Sequence, residues 1–252
     1  MAVDDAAKRE AAVQLSRELA RVARLHDARR IDRVLDDALR RLGEWQSRRL
    51  RNTHADLAVD RRYTAAIAFF QNDLYGGGDF NRRDADLARV VPAMERLLPA
   101  RVIATVAQAT ELNALSQELD HKLLAQLPRL DAPFTVAEYC IAYRNADEYP
   151  SRKRQLELIR DVGMALDRYV RTPMVGTALV MMRQPARLAG FVALQDFLER
   201  GFAAFRRMRD ASGFLATIEA RETQLLDAIM SGSDDPFPDP WPTARADPLG
   251  LR

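Results

Sequence analysis

Cysteine is almost absent from this chain, and its scarcity excludes several kinds of site. Cys140 is the single cysteine among 252 residues, so neither an intramolecular disulfide nor a cysteine-based zinc cluster can form. The neighbours of Cys140 in "EYCIAYR" are largely apolar, and no recognisable motif links it to a histidine. We therefore expect a buried, unreactive thiol rather than a nucleophile.

Long apolar runs and a charge of one dominant sign are also missing. The most apolar stretch, "TPMVGTALVMM", is about half the length of a bilayer-spanning helix. The 38 basic and 36 acidic residues leave a net charge of +2, which gives no general attraction to nucleic acid or to anionic membranes. The start of the chain, "MAVDDAAKREAAVQ", lacks the apolar region of a secretory signal. These features predict a cytoplasmic protein that binds neither nucleic acid nor membrane.

No stretch alternates apolar and polar residues in the manner of a β-strand, so no sheet is predicted. Alanine, leucine and arginine, which have high helix propensity, instead recur at helical spacing along the chain. We predict an all-α fold, a single bundle of about nine or ten helices within residues 1–230. Residues 1–60 could form a semi-independent helical hairpin. Residues 231–252 contain five prolines and are predicted to be an extended or disordered tail.

Capping residues and prolines mark several predicted helix boundaries. Thr135 is expected to cap one helix, and Thr172-Pro173 is expected to begin another. Pro185 is expected to open a further, separate helix. Asn81 is a plausible N-cap for the helix that follows the glycine-rich segment.

Three consecutive glycines lie in "LYGGGDFNRRD", residues 74–84, between two predicted helices. A phosphate-binding loop requires a preceding strand, spaced glycines and a lysine entering the next helix, and all three are missing here. We interpret the glycines as a helix C-cap followed by a turn. An anion-binding site is the alternative, because Arg82 and Arg83, supported by Tyr75, lie near the free amides of the next helix.

One predicted helix carries Glu118 and His121, three residues apart and therefore on one face. This spacing is half of a ferritin-like di-iron site, which also needs a second such pair and two further glutamates. The second pair is missing from the sequence, so no metal or other cofactor is predicted, and surface polar residues are the favoured interpretation. Alternatively, Asp120 and Ser116 anchor a buried polar network with an arginine such as Arg83 or Arg154.

Two further segments allow a structural and a functional interpretation. "SRKRQLELIR", residues 151–160, is the most basic run and is interpreted as a solvated face, or else as a surface for an acidic partner or a phosphate ligand. "TPMVGTALVMMRQPARLAGF", residues 172–191, is the most apolar segment. It is interpreted as a buried helix pair at the centre of the core. The alternatives are the wall of an apolar ligand pocket or a dimer interface.

The stretch from residue 69 to residue 84 resembles the bacterial FFLEELY-motif proteins, an all-helical family without an assigned activity. Gln71-Asn72 depart from the Leu-Glu of that motif, and Asp73 stands where an acidic residue is usual. Similar stretches extend the resemblance over roughly residues 40–225, and it implies a helical fold but no mechanism. The matching positions are Phe69, Phe70, Leu74, Tyr75, Gly76, Asp79, Phe80, Arg83 and Asp84.

The sequence contains no complete catalytic motif and leaves two classes of function. The favoured class is a non-catalytic protein-interaction or regulatory module that forms a homodimer or binds a protein partner. Its proline-rich "FPDPW" segment could dock an aromatic ring into a groove of a neighbour. The alternative is a small-molecule-binding protein or enzyme with a polar or metal site inside the bundle. That site would use Glu118, Asp120 and His121, supported by Arg83 and Tyr75.

Overall fold

The structure, a computed structural model, describes residues 2–69, 80–208 and 211–237, and these residues form eleven α-helices and no strand. The all-α prediction is therefore confirmed, with slightly more helices than the predicted nine or ten. No described helix combines the length and the apolarity that crossing a bilayer requires. The helices are α1 (Ala2–Ile31), α2 (Arg33–Thr53), α3 (Ala55–Val59), α4 (Thr64–Phe69), α5 (Phe80–Leu97), α6 (Ala100–Leu124), α7 (Val136–Asn145), α8 (Tyr149–Val170), α9 (Pro173–Leu188), α10 (Val192–Met208) and α11 (Ser212–Met230).

Helices α1 and α6 pack along each other and form one wall of the bundle. Leu15 and Leu19 of α1 meet Ile103 and Ala107 of α6, and Val91 of α5 completes this core. Each pair on one helix is spaced by four residues, which places both side chains on the same face. Burying a side chain such as Leu15 stabilises the fold by about 1.5–3 kcal/mol.

A second core is built from aromatic rings around Trp45 of α2. The ring of Tyr139 lies 4.2 Å from that of Trp45 between centroids, and the ring of Phe237 meets Trp45 edge-on at 5.8 Å. Cys140 is fully buried in the same cluster, and burial raises the pKa of its thiol to about 12. The predicted burial of Cys140 is therefore confirmed, and the raised pKa disfavours the reactive thiolate.

The first residues of the proline-rich segment lie along the body of the protein. Arg144 of α7 donates hydrogen bonds to the carbonyl oxygen of Ser233 at 3.0 Å and to the carboxylate of Asp234 at 2.6 Å. Phe237, the first of the two aromatics of "FPDPW", is buried against its own chain rather than against a neighbour, and the second, Trp241, is not described. Residues 238–252 lie outside the described residues.

The helix starts predicted at Thr135 and at Thr172-Pro173 are both confirmed, but only Thr135 caps its helix through its side chain. Thr135 and Glu138 form a capping box, in which Thr135 Oγ1 accepts the Glu138 amide at 3.1 Å and Glu138 accepts the Thr135 amide at 2.7 Å. Thr172 precedes α9 with Pro173 in the first turn, but its side chain makes no capping hydrogen bond.

Two predicted helix starts are wrong. Pro185 lies inside α9, which continues to Leu188. Pro185 has no backbone N–H and so cannot donate the helical hydrogen bond to the carbonyl of Met181. Met181 lies on an exposed part of the helix, where water can donate a hydrogen bond to that carbonyl instead. Asn81 is not an N-cap, because α5 already begins at Phe80.

A buried ion-paired cluster joins α2 to α11. A terminal guanidinium nitrogen of Arg49 lies 2.5 and 2.6 Å from the two carboxylate oxygens of Glu222, and His54 Nε2 lies 2.9 Å from one of them. The side chains of Arg49 and Glu222 are only 13% and 11% exposed. Burial alone would raise the pKa of Glu222, but the charge of Arg49 and the bonds from His54 and Arg49 lower it to about 2.

We expect Glu222→Gln to lower the free energy of unfolding at pH 7 by about 3–5 kcal/mol, because it leaves Arg49 buried without its counter-charge. The pKa of Glu222 is about 2 in the folded chain against 4.5 when unperturbed. Its stabilisation is therefore complete above pH 4.5 and is lost as the pH falls towards 2. The difference in the free energy of unfolding between wild type and variant should therefore shrink as the pH falls from 4.5 towards 2. Urea unfolding at several pH values measures it.

Glu219→Gln on the same helix is the matched control. Glu219 pairs with Arg160 at 2.8 Å, but the two side chains are 31% and 43% exposed. Solvent screening limits such a pair to about 0–1 kcal/mol. Equal losses for Glu219→Gln and Glu222→Gln would contradict the special role of the buried cluster.

Candidate functional site

A cavity of about 2470 Å³ lies between the helices. It is lined by side chains from helices near the start of the chain and from helices near its end. Pockets for drug-sized molecules commonly measure about 300–1,000 Å³, so this space has ample room for a small-molecule ligand. Helices α6 and α8 run antiparallel along it, since Thr105 contacts Tyr169 while Ser116 contacts Gln155. One end of the cavity lies beside the start of α6 and the end of α8, and the other lies beside the second half of α6 and the start of α8. The two ends differ in the side chains that line them.

The end beside the start of α6 and the end of α8 is largely apolar, although Arg101 and Tyr169 also line it. Helices α5, α9 and α10 supply aliphatic, methionine and phenylalanine side chains to this wall, and none of these carries a charge. Such a surface favours apolar matter through the hydrophobic effect. The wall includes Leu87, Met94, Leu98, Leu179, Met182, Leu194, Phe197 and Phe202.

The end beside the second half of α6 and the start of α8 is polar. Asp120 accepts a hydrogen bond from Gln46 Nε2 at 2.9 Å. Arg152 is 7% exposed, lies 4.4 Å from the centre of the Tyr143 ring, and donates to the Leu119 carbonyl at 3.4 Å. All of these groups except Leu119 line the cavity. They form a polar cluster of Gln46, Asp120, Tyr143 and Arg152.

The carboxylate of Asp120 is the unusual member of this polar cluster. It lies deep in the protein, yet its side chain remains half-buried because it faces the cavity. Burial raises the pKa of Asp120, and the charge of Arg152 and the bond from Gln46 only partly oppose that rise. A hydrogen-bond donor brought into the cavity would find an accessible acceptor in a region of low dielectric.

The three residues predicted to form a polar site separate into two environments. Glu118 pairs with Arg21 of α1, whose terminal nitrogen lies 2.6 Å from the carboxylate, and it strengthens the contact between α1 and α6. Asp120 and His121 both line the cavity. Burial and the charge of Arg29 lower the pKa of His121, and its Nε2 has no hydrogen-bond partner in the described structure.

The arginine that accompanies Asp120 was not among those predicted. Arg154 instead pairs with Glu111 at 3.0 Å, and Arg152 provides the charge. The interpretation of residues 151–160 as a solvated face is therefore wrong for Arg152. The signal was present in the sequence, because Arg152, Leu156 and Ile159 share helical spacing and all line the cavity.

The predicted anion site falls largely outside the described residues. Tyr75 and the glycine run lie within residues 70–79, which are not described. Arg82 and Arg83 lie in the first turn of α5, but their side chains are not described. The anion site thus stays a prediction. In the part of the chain that is described, no group of three His, Cys, Asp or Glu side chains is placed to hold a metal ion.

The most apolar segment does not form the centre of the core. Within α9, Met174 is 78% exposed, Met181 is 73% exposed and Leu188 is 89% exposed. The prediction of a buried helix pair is therefore wrong. Of the alternatives, the pocket wall describes the inner side of α9, where Leu179 and Met182 line the cavity.

We expect Asp120→Asn to raise the free energy of unfolding at pH 7 by about 0.5–2 kcal/mol, the usual range for a stabilising substitution. The raised pKa means that the charged form of Asp120 is less favourable in the folded than in the unfolded chain. The gain should be full above the folded pKa and should fade as the pH drops to the unperturbed value of 3.8. Thermal unfolding measured from about pH 3.5, just below that reference value, to about pH 8 tests this expectation.

Asp56→Asn is the control of opposite sign. A hydrogen bond from Arg221 lowers the pKa of Asp56 to about 2, so its neutralisation should bring no gain at pH 7. A loss of stability in Asp120→Asn at pH 7 would show that attraction to Arg152 outweighs the cost of burying the charge.

Comparison with known proteins identifies a family but no activity. No curated protein and no solved structure matches the chain. A family model described as a domain of unknown function matches residues 11–236. That range runs from within α1 through the end of α11 and includes both ends of the cavity. The chain therefore belongs to the domain family DUF8198, an uncharacterised family.

Proposed function

We propose that this protein is a non-catalytic binding protein that holds an amphipathic small molecule in the cavity between its helices. The observation that carries the proposal is the shape and chemistry of that cavity, about 2470 Å³ with an apolar wall at one end and a polar cluster at the other. Covering apolar ligand surface releases about 25 cal/mol for each Å² removed from water. The apolar wall would supply most of the affinity, and the polar cluster would supply orientation.

The polar cluster favours a ligand head group that is uncharged and both donates and accepts hydrogen bonds. Asp120 offers an acceptor, and the guanidinium of Arg152 offers a donor beside it. A charged head group would lose its hydration next to a charge of the same sign, from either Asp120 or Arg152, and this is costly in a buried site. A hydroxyl on a hydrocarbon body fits both the wall and the cluster.

Three side chains that could serve catalysis are committed to other contacts, which supports a non-catalytic role, whereas His121 lines the cavity with its Nε2 unbonded in the described structure. Cys140 is buried in the aromatic core and does not line the cavity. His54 and Glu222 line the cavity but are bonded to each other, and Glu222 is also paired with Arg49. These groups hold the fold together through their mutual contacts.

A protein-interaction role is a second candidate, and the exposed methionines and leucine of α9 favour it. Contiguous exposed apolar side chains are common at interaction sites. A regulatory role, a cytoplasmic location, and the resemblance to bacterial FFLEELY-motif proteins stay predictions.

We expect the uncharged fluorophore N-phenyl-1-naphthylamine to bind the purified protein saturably, with enhanced emission from a dry, apolar site. Ala109→Trp should weaken this binding about tenfold or more, equivalent to about 1.4 kcal/mol. Ala109 lines the cavity, and its side chain is exposed rather than buried among other side chains. The indole of a tryptophan at this position would therefore occupy space that the ligand needs. Ala20→Trp places the same bulk on an exposed part of α1 away from the cavity and should leave binding unchanged.

Displacement of the fluorophore tests the head group. Decanol should compete at lower concentration than decanoate or decylammonium, because the polar cluster contains both charge signs. Folded wild-type protein, judged by circular dichroism, that shows no saturable binding would overturn the proposed function. A charged competitor stronger than decanol would overturn the assignment of an uncharged head.

A further inference from the structure

The outer side of α9 carries an exposed apolar seam with coiled-coil spacing. The residues are separated by four, three, four and three positions, which is the alternation of the two core positions in a heptad repeat. All five are exposed to solvent. We call Met174, Ala178, Met181, Pro185 and Leu188 the α9 seam.

The α9 seam is electrically neutral. Thr177, Gln184 and Met182 flank it and carry no charge. Arg183 is bonded through two nitrogens to Glu199 of α10, at 2.7 and 2.6 Å. Arg187 also interacts with Glu199. An approaching surface therefore meets no unpaired charge on the seam and gains most if it is itself apolar and neutral.

Other exposed helical surfaces of this chain differ in this respect. On α2, for example, Arg40 lies between Asp37 and Glu44 and pairs with both. A surface of that kind would lose its hydration against the α9 seam without gaining a partner. A second α9 seam is apolar, neutral and matched in length, so the surface is complementary to itself, as the interface of a two-fold dimer must be.

The seam also borders the cavity. Ala178, Met182 and Pro185 line the cavity and are at the same time exposed to solvent. The cavity is thus open along this edge of α9, as it also is beside α2, where Arg33, Asp37 and Arg40 line it and are exposed. A body seated on the seam would cover the opening beside α9. An apolar ligand held inside would then be shielded from water on that side.

We propose that a second copy of this chain docks antiparallel on the α9 seam and closes the cavity opening beside Met182. Antiparallel docking centred at residue 183 sets Ala178 against Leu188 of the partner subunit and Pro185 against Met181 of the partner subunit, and it leaves Met174 at the edge of the interface. Each small residue then faces a large one, whereas parallel docking would set Ala178 against its own copy and leave a gap. The docking itself stands on the seam alone, and the closing of the cavity rests on the proposed function.

Met181→Glu tests the docking, because it sets buried like charges into the interface. Light scattering after size exclusion should give wild-type protein twice the 28.5 kDa of one chain, and Met181→Glu should give a monomer with unchanged circular dichroism. Met181→Leu should remain a dimer. Val13→Glu, on an equally exposed apolar residue of α1 that is 69% exposed, is the matched control and should also remain dimeric.

Several results would overturn the docking. Wild-type protein that is monomeric at micromolar concentration overturns it, as does a Met181→Glu variant that stays dimeric. A monomer that sediments with vesicles of phosphatidylcholine and phosphatidylglycerol would assign the α9 seam to a lipid surface instead. For the orientation, oxidation should cross-link Ala178→Cys/Leu188→Cys and leave Ala178→Cys alone unlinked, and the reverse would show parallel docking.

The release rate of N-phenyl-1-naphthylamine tests the closing of the cavity. Release should be about tenfold faster from Met181→Glu than from wild type and from Val13→Glu, since the monomer leaves the opening uncovered. Equal release rates in a dimer and its monomeric variant would overturn the closing while the docking stands. A dimer that binds no fluorophore would overturn the proposed function instead, so the two failures give different results.

Discussion

The ion-paired cluster of Arg49, Glu222 and His54 is the constraint on which the arrangement of the helices depends. Buried charges are tolerated only when their partners are in place, so α11 is held in one register against α2 although the two helices are far apart in sequence. That register carries Phe237, just after α11, onto Trp45 of α2. It also leaves the space between α2, α6, α8 and α11 open as part of the cavity.

Two of the carboxylates that line this cavity, Glu222 and Asp120, experience opposite electrostatic environments. Glu222 is neutralised by Arg49 and His54, and its pKa falls to about 2. Asp120 faces the open space, where burial raises its pKa despite Gln46 and Arg152. The charge of Glu222 stabilises the fold. Burial of the Asp120 charge lowers stability instead, and a hydrogen-bond donor on a bound ligand would offset that loss. This division is typical of binding sites, in which groups that serve the ligand are poorly satisfied without it.

Helix α9 connects the interior of the protein to its surface. Its inner side contributes Leu179 and Met182 to the apolar wall, and its outer side carries the neutral α9 seam. Ligand binding and self-association would therefore act on the same helix, and each would bury apolar side chains that are otherwise in contact with water. A thermodynamic coupling between the two follows, because docking that covers the opening also stabilises the ligand-bound form.

By itself, the sequence determined the helices and many of their ends, because these follow from local rules. Propensity and periodicity act over a few turns, and the capping box of Thr135 involves residues three apart. Apolar neighbours likewise indicated the burial of Cys140. The tertiary structure alone decided which helix faces meet. Arg152 is buried and Met181 is exposed, the reverse of what their polarity suggests, since burial depends on contacts between residues distant in sequence. For the same reason no local window could show the cavity, which exists only in the space that packed helices leave between them.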